Sequence, residues 1–275
     1  MTTLAATTSI TQQSHPAAAP ASQIIKSRIR SHVIETLRIP IAVVSGVAFP
    51  VMSFLFFVIP QSAITSDQLF SLGAIAQLSV FSIMSTFLFT YGVGIAEDRK
   101  NPWTSYLRTL PTGGVATIAG RICTAALFAV LSLIPLLLVG ILLTAAPDAF
   151  TSGALSWWRI PAAFGALILG GTPFIGLGLA IGYGLPSKAA IAVAQVLLLP
   201  LAFIGGLFLP SEMFPGWLNA ISLGTPTRAA RDLVISALTG ADLHVSTIPV
   251  LVVWSAALLG LALWGYRRDE GLRYK

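Results

Sequence analysis

The stretch GGLFLPSEMFPGWLNAISLGTPTRAARDLV, residues 205–234, separates two long apolar runs near the end of the chain. Pro210 and Pro215 prevent a regular helix from continuing, because each proline removes a backbone donor and biases the preceding residue away from helical geometry. Pro226 then precedes a short predicted helix that carries three charged side chains. This proline-rich and partly charged break therefore divides two apolar helices and belongs to neither.

Composition places the chain in a membrane. The 275 residues are 55% hydrophobic and 9% charged, and their mean hydropathy is +0.85, whereas soluble domains contain about 25% charged residues. Spans of ~20 residues and short loops use up this length and leave no room for a separate soluble catalytic domain. The sequence therefore predicts an integral membrane protein.

Six apolar runs are long enough to cross a bilayer, so the predicted fold is an all-α membrane protein with six transmembrane helices within residues 39–266. The predicted spans 1 to 6 are residues 39–59, 69–96, 122–145, 160–185, 189–209 and 246–266. Four of them contain an internal proline that predicts a kink, namely Pro50, Pro135, Pro173 and Pro200.

Basic residues lie mostly on one side of these spans. Thirteen Lys and Arg residues fall in the two terminal segments and in the loops after spans 2 and 4, whereas only Arg159, Arg228 and Arg231 fall on the opposite side. This asymmetry predicts cytoplasmic N and C termini in the cell membrane and puts residues 205–234 at the outer face. Residues 1–23 are predicted to form a disordered cytoplasmic tail and residues 267–275 a basic cytoplasmic tail.

Residues 24–38 have the pattern of an amphipathic helix on the inner membrane surface. Ile25, Ile29, Val33 and Leu37 recur every four residues, and the basic side chains lie largely on other faces. Pro40 marks a break but does not fix an angle, so a cytoplasmic extension of span 1 is the alternative.

Ionisable residues are absent from the interior of all six runs. Ion-coupled carriers usually bury such a residue near the midplane, so this class is disfavoured. The single cysteine and the three histidines, which lie outside the spans, cannot form a metal site or a nucleophile–base pair, and GYGLPSK at 182–188 lacks the spacing of a phosphate-binding loop. The sequence predicts no catalytic residue, metal or cofactor in this chain, no nucleic-acid partner, and an energy source on another chain.

The inner loop EDRKNPWTSYLRTLPTGGVATIAGR, residues 97–121, predicts a short amphipathic helix. Between a start at Asn101 and a stop at Pro111, apolar residues recur at i, i+3, i+4 and i+7, as Trp103, Tyr106, Leu107 and Leu110. A helix this short is marginal in water and needs a surface. Lipid headgroups are one candidate surface, and the mixed charges of EDRK favour the other, a cytoplasmic protein partner.

Two blocks of the chain resemble those of a known family, the six-span permeases of ATP-binding-cassette exporters of the second type, which include daunorubicin-resistance-like drug exporters. They are AEDRKNPWTSYLRTLPTGGVATIAGR between spans 2 and 3, and GGLFLPSEMFPGWLNAISLGTPTRAARDLV between spans 5 and 6. The resemblance covers nearly all of the chain after about residue 24. It implies a coupling helix in the inner block that docks into a separate ATPase, which binds ATP and Mg.

The same resemblance implies two ATPase copies, a second permease subunit that meets this one around the export path, and short re-entrant helices in the outer block. The ATPase-coupling residues that it implies are Glu97, Asp98, Arg99, Lys100, Trp103, Tyr106, Leu107 and Arg108. The chain departs from the family in having Asn101 and Pro102 directly before the helix.

The outer block also predicts a gate on physical grounds. Non-helical backbone at membrane depth is tolerated only where protein or water satisfies it, so a dip into the bilayer would line a cavity or an outer gate. The predicted gate residues are Phe208, Pro210, Glu212, Phe214 and Trp217. The alternative is an ordinary outer loop with aromatic belt residues.

A polar stripe in span 2, together with one amide in span 5, is the predicted substrate path. Its residues are Gln77, Ser79, Ser82, Thr86 and Gln195. Helix packing is the alternative, since Ser and Thr also bond to their own helix backbone and let neighbouring helices approach. Gly178 and Gly182 form a GxxxG motif that predicts packing within the chain.

A path without charges suits a hydrophobic, amphipathic or lipid-linked cargo. The leading hypothesis is therefore the permease subunit of an ATP-driven exporter that works by alternating access. A non-transporting membrane scaffold or assembly protein is the second hypothesis, and an ion-coupled carrier the third.

Overall fold

The computed structural model describes residue 34, residues 40–100 and residues 114–273, and the regular elements within these ranges are all helical. The α-helices are α1 Pro40–Phe57, α2 Ser62–Thr65, α3 Gln68–Phe87, α4 Gly94–Asp98, α5 Gly114–Leu143, α6 Asp148–Thr151, α7 Arg159–Gly184, α8 Ser187–Ile204, α9 Gly216–Leu223, α10 Pro226–Thr239 and α11 Thr247–Arg273. A π-helical segment, Leu88–Val93, joins α3 to α4, and a 3₁₀ turn, Ser211–Met213, follows α8.

Five helical segments of the described ranges are long and apolar enough to cross a membrane. They are Gln68–Asp98, Ala126–Leu143, Arg159–Gly184, Ser187–Ile204 and Thr247–Arg268, and they correspond to predicted spans 2 to 6. Predicted span 1 falls on α1, within which Ala48–Phe57 forms a shorter apolar helix. The all-α, multi-pass class is confirmed, whereas the sixth span and the side on which the termini lie stay predictions.

The predicted end of span 5 at residue 209 was wrong for the helix. Helix α8 stops at Ile204, because Gly206 takes a positive φ of 71° that ends the helix and favours glycine. Side-chain packing reinforces this end, since a Cβ at Gly205 would collide with the side chain of Thr227 in α10. Residues 205–209 therefore belong to the connection between α8 and α11, residues 205–246, which we call the outer segment after its predicted side of the membrane.

Two other helices are longer than the predicted spans. Helix α5 begins at Gly114, although the inner loop was predicted to reach residue 121, because no proline interrupts residues 115–134. Helix α11 continues to Arg273, into the predicted basic tail. The four prolines expected to kink the spans all lie inside helices: Pro50, Pro135, Pro173 and Pro200.

Helix α3 lies at the centre of the described helices. In the segment Gln68–Asp98, 78% of the most apolar stretch is buried, against 17% in Thr247–Arg268. Helix α3 packs against α1, α5, α7 and α10, while α7 packs along the π-helical segment, α10 and α11. The outward faces of α5, α8 and α11 carry exposed Leu, Val and Ile side chains, as lipid contact requires.

The GxxxG motif of α7 packs within the chain, as predicted. A Cβ at Gly178 would lie 2.5 Å from the carbonyl oxygen of Phe87, and one at Gly182 would collide with the carbonyl oxygen of Tyr91. Both acceptors flank or belong to the π-helical segment. The two glycines therefore let the backbones of α7 and span 2 approach closely.

Candidate functional site

The described part of the predicted ATPase contact lies at the C-terminal end of span 2, which we call the inner end after its predicted side of the membrane. Glu97 and Lys100 are exposed, whereas Asp98 and Arg99 are half-buried. Four further predicted contact residues lie outside the described residues, namely Trp103, Tyr106, Leu107 and Arg108. Most of the predicted inner-surface helix, residues 24–38, also lies outside them. Ile34 is the described residue of that surface helix, and it is helical and exposed.

Arg99 ties span 2 to the inner end of α7. Its Nη1 donates to the carbonyl oxygens of Gly182 (3.0 Å), Tyr183 (2.9 Å) and Leu185 (3.2 Å). The last carbonyls of a helix lack intrahelical donors and carry the negative end of its dipole, so a guanidinium there satisfies both needs. Arg99 thus makes contacts inside the chain, whereas Glu97 and Lys100 remain exposed beside it.

Helix α11 joins the same inner end through aromatic packing. The ring of Tyr183 meets that of Tyr266 edge-on, with 5.2 Å between the ring centroids and an angle of 81° between their planes. Such edge-to-face pairs are favoured by the ring quadrupoles. The inner ends of span 2, α7 and α11 are therefore connected through Arg99, Tyr183 and Tyr266.

Most of the predicted path residues in span 2 are buried between helices. The hydroxyl of Ser82 lies 2.8 Å from that of Ser132 in α5, and the Thr86 hydroxyl lies 3.5 Å from it. The Ser79 hydroxyl donates to the carbonyl oxygen of Ile75 at 2.7 Å. Hydrogen bonds of this kind, within one helix and between neighbouring helices, agree with the alternative that the polar stripe serves helix packing. A role of these residues in lining a substrate path stays a prediction.

The other two predicted path residues lie in different surroundings. Gln195 is exposed on α8, next to Val196, which is 69% exposed. Gln77 is half-buried and faces Arg231 of α10. The orientation of its side-chain amide is assigned from its surroundings: with Oε1 turned toward the guanidinium, this oxygen accepts from Nε (3.1 Å) and Nη2 (2.8 Å) of Arg231.

The outer segment contains a buried charged cluster that centres on Arg231, which is 5% exposed. Besides its bonds to Gln77, Arg231 donates through Nη1 to the Ser211 hydroxyl at 3.2 Å and to Oδ1 of Asp232 at 2.8 Å. Arg228 donates through Nε to Oδ2 of Asp232 at 2.7 Å. The cluster links α3, the 3₁₀ turn and α10.

Helix α10 holds this cluster in place because its ends are well defined. The Thr225 side chain accepts from the backbone N–H of Arg228 at 3.3 Å, Pro226 occupies the first turn, and Gly240 ends the helix with a φ of 78°. The start at Pro226 was predicted from the sequence. The burial of Arg231 was not, although Arg228 and Asp232 at i and i+4 are a recognisable ion-pair spacing.

Helix α10 runs antiparallel to the outer half of α7. A Cβ at Gly170 would lie 3.1 Å from the Cβ of Ala230, while Gly240 at the other end of α10 packs against the guanidinium of Arg159. Gly170 is about 16 Å along α7 from Arg159 at the helical rise of about 1.5 Å per residue. The first half of α10 therefore packs about 16 Å from the Arg159 end of α7.

The predicted gate residues occupy different environments. Phe208 is buried, and its ring centroid lies 4.9 Å from those of Phe57 and Phe81 and 5.0 Å from that of Phe203. Pro210 and Phe214 are half-buried and Trp217 is exposed. Glu212 lies in the 3₁₀ turn. Phe208 thus joins α1, α3 and α8, whereas a joint plug with Trp217 stays a prediction.

The described residues contain no group of three or more His, Cys, Asp or Glu side chains that could hold a metal ion. Their chemistry is that of helix packing, with polar clusters at the inner and outer ends of the bundle. Together with the apolar outward faces, this defines a multi-pass membrane protein.

Comparison with known proteins identifies the family. The family model of the ABC-2 type transporter matches residues 24–239, so the chain belongs to this family. A protein of Bacillus subtilis (strain 168) described as "Putative transport permease YvfS" is 21% identical over 251 residues, which cover 90% of this chain and 99% of that protein. The chain is therefore a transport permease subunit rather than an enzyme, and the family normally works with an ATPase partner.

Proposed function

We propose that this chain is the membrane subunit of an ATP-driven exporter that moves a hydrophobic, amphipathic or lipid-linked substrate outward by alternating access. Two copies of a separate ATPase, which bind ATP and Mg, supply the energy, and a second permease subunit completes the path. The observation that carries the proposal is the family match over residues 24–239, because it includes both the inner loop and the outer segment. The narrower likeness to daunorubicin-resistance-like drug exporters is part of the proposal.

The inner end of span 2 supports docking of the ATPase. Glu97 and Lys100 are exposed and of opposite charge directly before the predicted coupling helix, so they offer paired electrostatic contacts to a protein. Arg99, bound to the carbonyl groups at the end of α7, makes α7 move with this loop. A tilt of the loop would thereby reach two spans at once.

The position of α10 supports a re-entrant outer segment. Its contact with Gly170 lies about 16 Å along α7 from Arg159, which corresponds to roughly half of a ~30 Å hydrocarbon core. Backbone at that depth requires internal partners, and the Thr225 cap and the contacts of α10 with α3, α7 and α11 supply them. Phe208, packed against three helices, is the proposed gate residue.

Gln195 supports a path beside α8. It is exposed among apolar neighbours in a helix long enough to span the membrane, and an amide in contact with lipid tails would lack partners. A second permease subunit or a water-filled path would provide them. The apolar runs contain no ionisable side chain, and Arg228 and Arg231 of α10 are both paired with Asp232, so we expect an uncharged or amphipathic cargo.

Reconstitution tests this function. The permease and its ATPase are placed in inside-out vesicles with a cationic amphiphilic dye or a fluorescently labelled phospholipid as test cargo. The proposal predicts that ATP drives accumulation of at least one cargo and that the cargo stimulates ATP hydrolysis. An ATP hydrolysis rate that neither cargo changes, together with no transport, supports the scaffold alternative. Transport that stops with an ionophore but continues after ATP depletion supports the ion-coupled carrier.

A further inference from the structure

The charged cluster in the outer segment has a specific attachment to span 2. In the assigned orientation of the Gln77 amide, Arg231 donates to its Oε1 through Nε at 3.1 Å and through Nη2 at 2.8 Å. Nη1 of Arg231 also donates to the Ser211 hydroxyl and to Oδ1 of Asp232. These four residues form what we call the outer latch. Its members come from α3, the 3₁₀ turn and α10, so the latch fastens two parts of the outer segment to one span.

The latch is stronger and more directional than the packing around it. Hydrogen bonds from a guanidinium are charge-assisted, and the two bonds to one amide oxygen fix the orientation of both groups. Arg231 is almost fully buried, so water cannot replace a lost partner at little cost. The apolar contacts of α10 with its neighbours, through buried side chains such as Ala229, Ala230 and Val234, are less directional than these hydrogen bonds.

Span 2 joins this latch to the inner end of the protein. The helical segment Gln68–Asp98 is continuous and contains Gln77 in its first third, while Arg99 follows its last residue. Gln77 and Arg99 are about 33 Å apart along the helix at about 1.5 Å per residue. The π-helical segment between them is held against α7 by the close approach of Gly178 to Phe87.

We propose that Gln77 is the positioning residue through which span 2 controls the outer segment: displacement of the inner loop moves span 2, and the bond between Gln77 and Arg231 carries this motion to α10 and to the turn before it. This inference rests on the proposed function for the source of the motion. The latch itself, however, is a property of the permease alone. Gln77 thereby leaves the predicted substrate path and acts on the outer segment.

Hydrogen–deuterium exchange of the purified full-length permease tests the latch without the ATPase. Gln77→Leu removes the acceptor and is expected to speed amide exchange in residues 226–239 by about tenfold or more, as loss of a charged hydrogen bond implies. Gln77→Glu restores an acceptor for Arg231 and is expected to keep exchange at or below the wild-type rate. The matched control is Gln68→Leu, which removes the contact between the Gln68 amide and the Ser152 hydroxyl at the start of the same helix and is expected to leave residues 226–239 unchanged.

Three outcomes overturn the latch. They are wild-type exchange in Gln77→Leu, equally fast exchange in Gln68→Leu, and exchange that rises equally in the middle of α7, which would indicate general loosening. A Gln77→Leu variant that does not fold is replaced by Gln77→Ser, for which the same tenfold rise is expected because the shorter side chain does not reach Arg231.

A second measurement tests transmission. In the complex with the ATPase, exchange of residues 226–239 is compared between nucleotide-free and vanadate-trapped states. Transmission through Gln77 predicts that the exchange rate of residues 226–239 differs at least threefold between the two states in the wild type and does not differ in Gln77→Leu. A difference that persists in Gln77→Leu, or that is missing in the wild type while the ATPase is bound, refutes it. Failure of any ATPase to bind contradicts the proposed function and leaves the result on the latch standing.

Discussion

The close approach of α7 to span 2 makes a sharp prediction for Gly178. A Cβ added there would lie 2.5 Å from the carbonyl oxygen of Phe87 and 3.0 Å from the Cβ of Tyr91, whereas ordinary contacts begin at 3.4 Å. Gly178→Ala must therefore push the two backbones roughly 0.9 Å apart along this line. Overpacking of this kind costs about 1–3 kcal/mol, and the obstacle here is backbone, which cannot rotate away.

Thermal unfolding in detergent measures this cost. A loss of about 1–3 kcal/mol corresponds to a fall in Tm of roughly 2–12 °C for a protein of this size. The matched control is Gly165→Ala in the same helix, where a Cβ would meet nothing within 4 Å. It is expected to be neutral or to stabilise by up to about 1 kcal/mol, since alanine favours helix. Equal Tm values for the two variants would refute the proposed packing of α7 on the π-helical segment.

Two further substitutions probe the ends of the described helices. Arg99→Gln removes the charge that binds three carbonyl oxygens at the end of α7, and it is expected to lower the free energy of unfolding by about 1–3 kcal/mol in the same assay. The control is Lys100→Gln at an exposed position, for which an unchanged Tm is expected. Equal Tm values for the two variants would contradict the link between Arg99 and α7. Gly206→Ala forces a non-glycine residue to a φ of 71° and is expected to lower the free energy of unfolding by about 1–2 kcal/mol. The control is Gly184→Ala, which has open space around the added Cβ and is expected to leave stability unchanged. An unchanged Tm for Gly206→Ala would show that α8 does not need this conformation to end.

Much of the fold followed from local signals in the sequence. Long apolar runs predicted spans 2 to 6, Pro226 predicted the start of α10, and the Gly178–Gly182 spacing predicted close packing within the chain. Each of these features depends on residues that are near one another in sequence. Period, proline chemistry and small-residue spacing are therefore sufficient to predict them.

The features that the sequence did not predict depend on long-range contacts or on backbone geometry. The π-helical segment Leu88–Val93 has no residue pattern that separates it from an α-helix. Helix α8 ends five residues before its apolar run does, because Gly206 takes a positive φ. The bonds of Arg99 to α7 and of Gln77 to Arg231 join residues more than 80 positions apart, and a charge pattern along one helix cannot indicate them.

Recruitment of the ATPase tests the central claim most directly. Trp103→Asp together with Leu107→Asp adds charge to the apolar face of the predicted coupling helix, and Thr104→Asp together with Thr109→Asp adds the same charge to its polar face. The measurement is the amount of ATPase that co-purifies with each tagged permease, with Tm as the check that the spans are folded. An ATP-driven permease predicts that the first pair loses the ATPase by at least about tenfold, as the loss of about 1.4 kcal/mol or more of binding free energy implies, while the second pair retains it. Equal retention by both pairs would contradict the account.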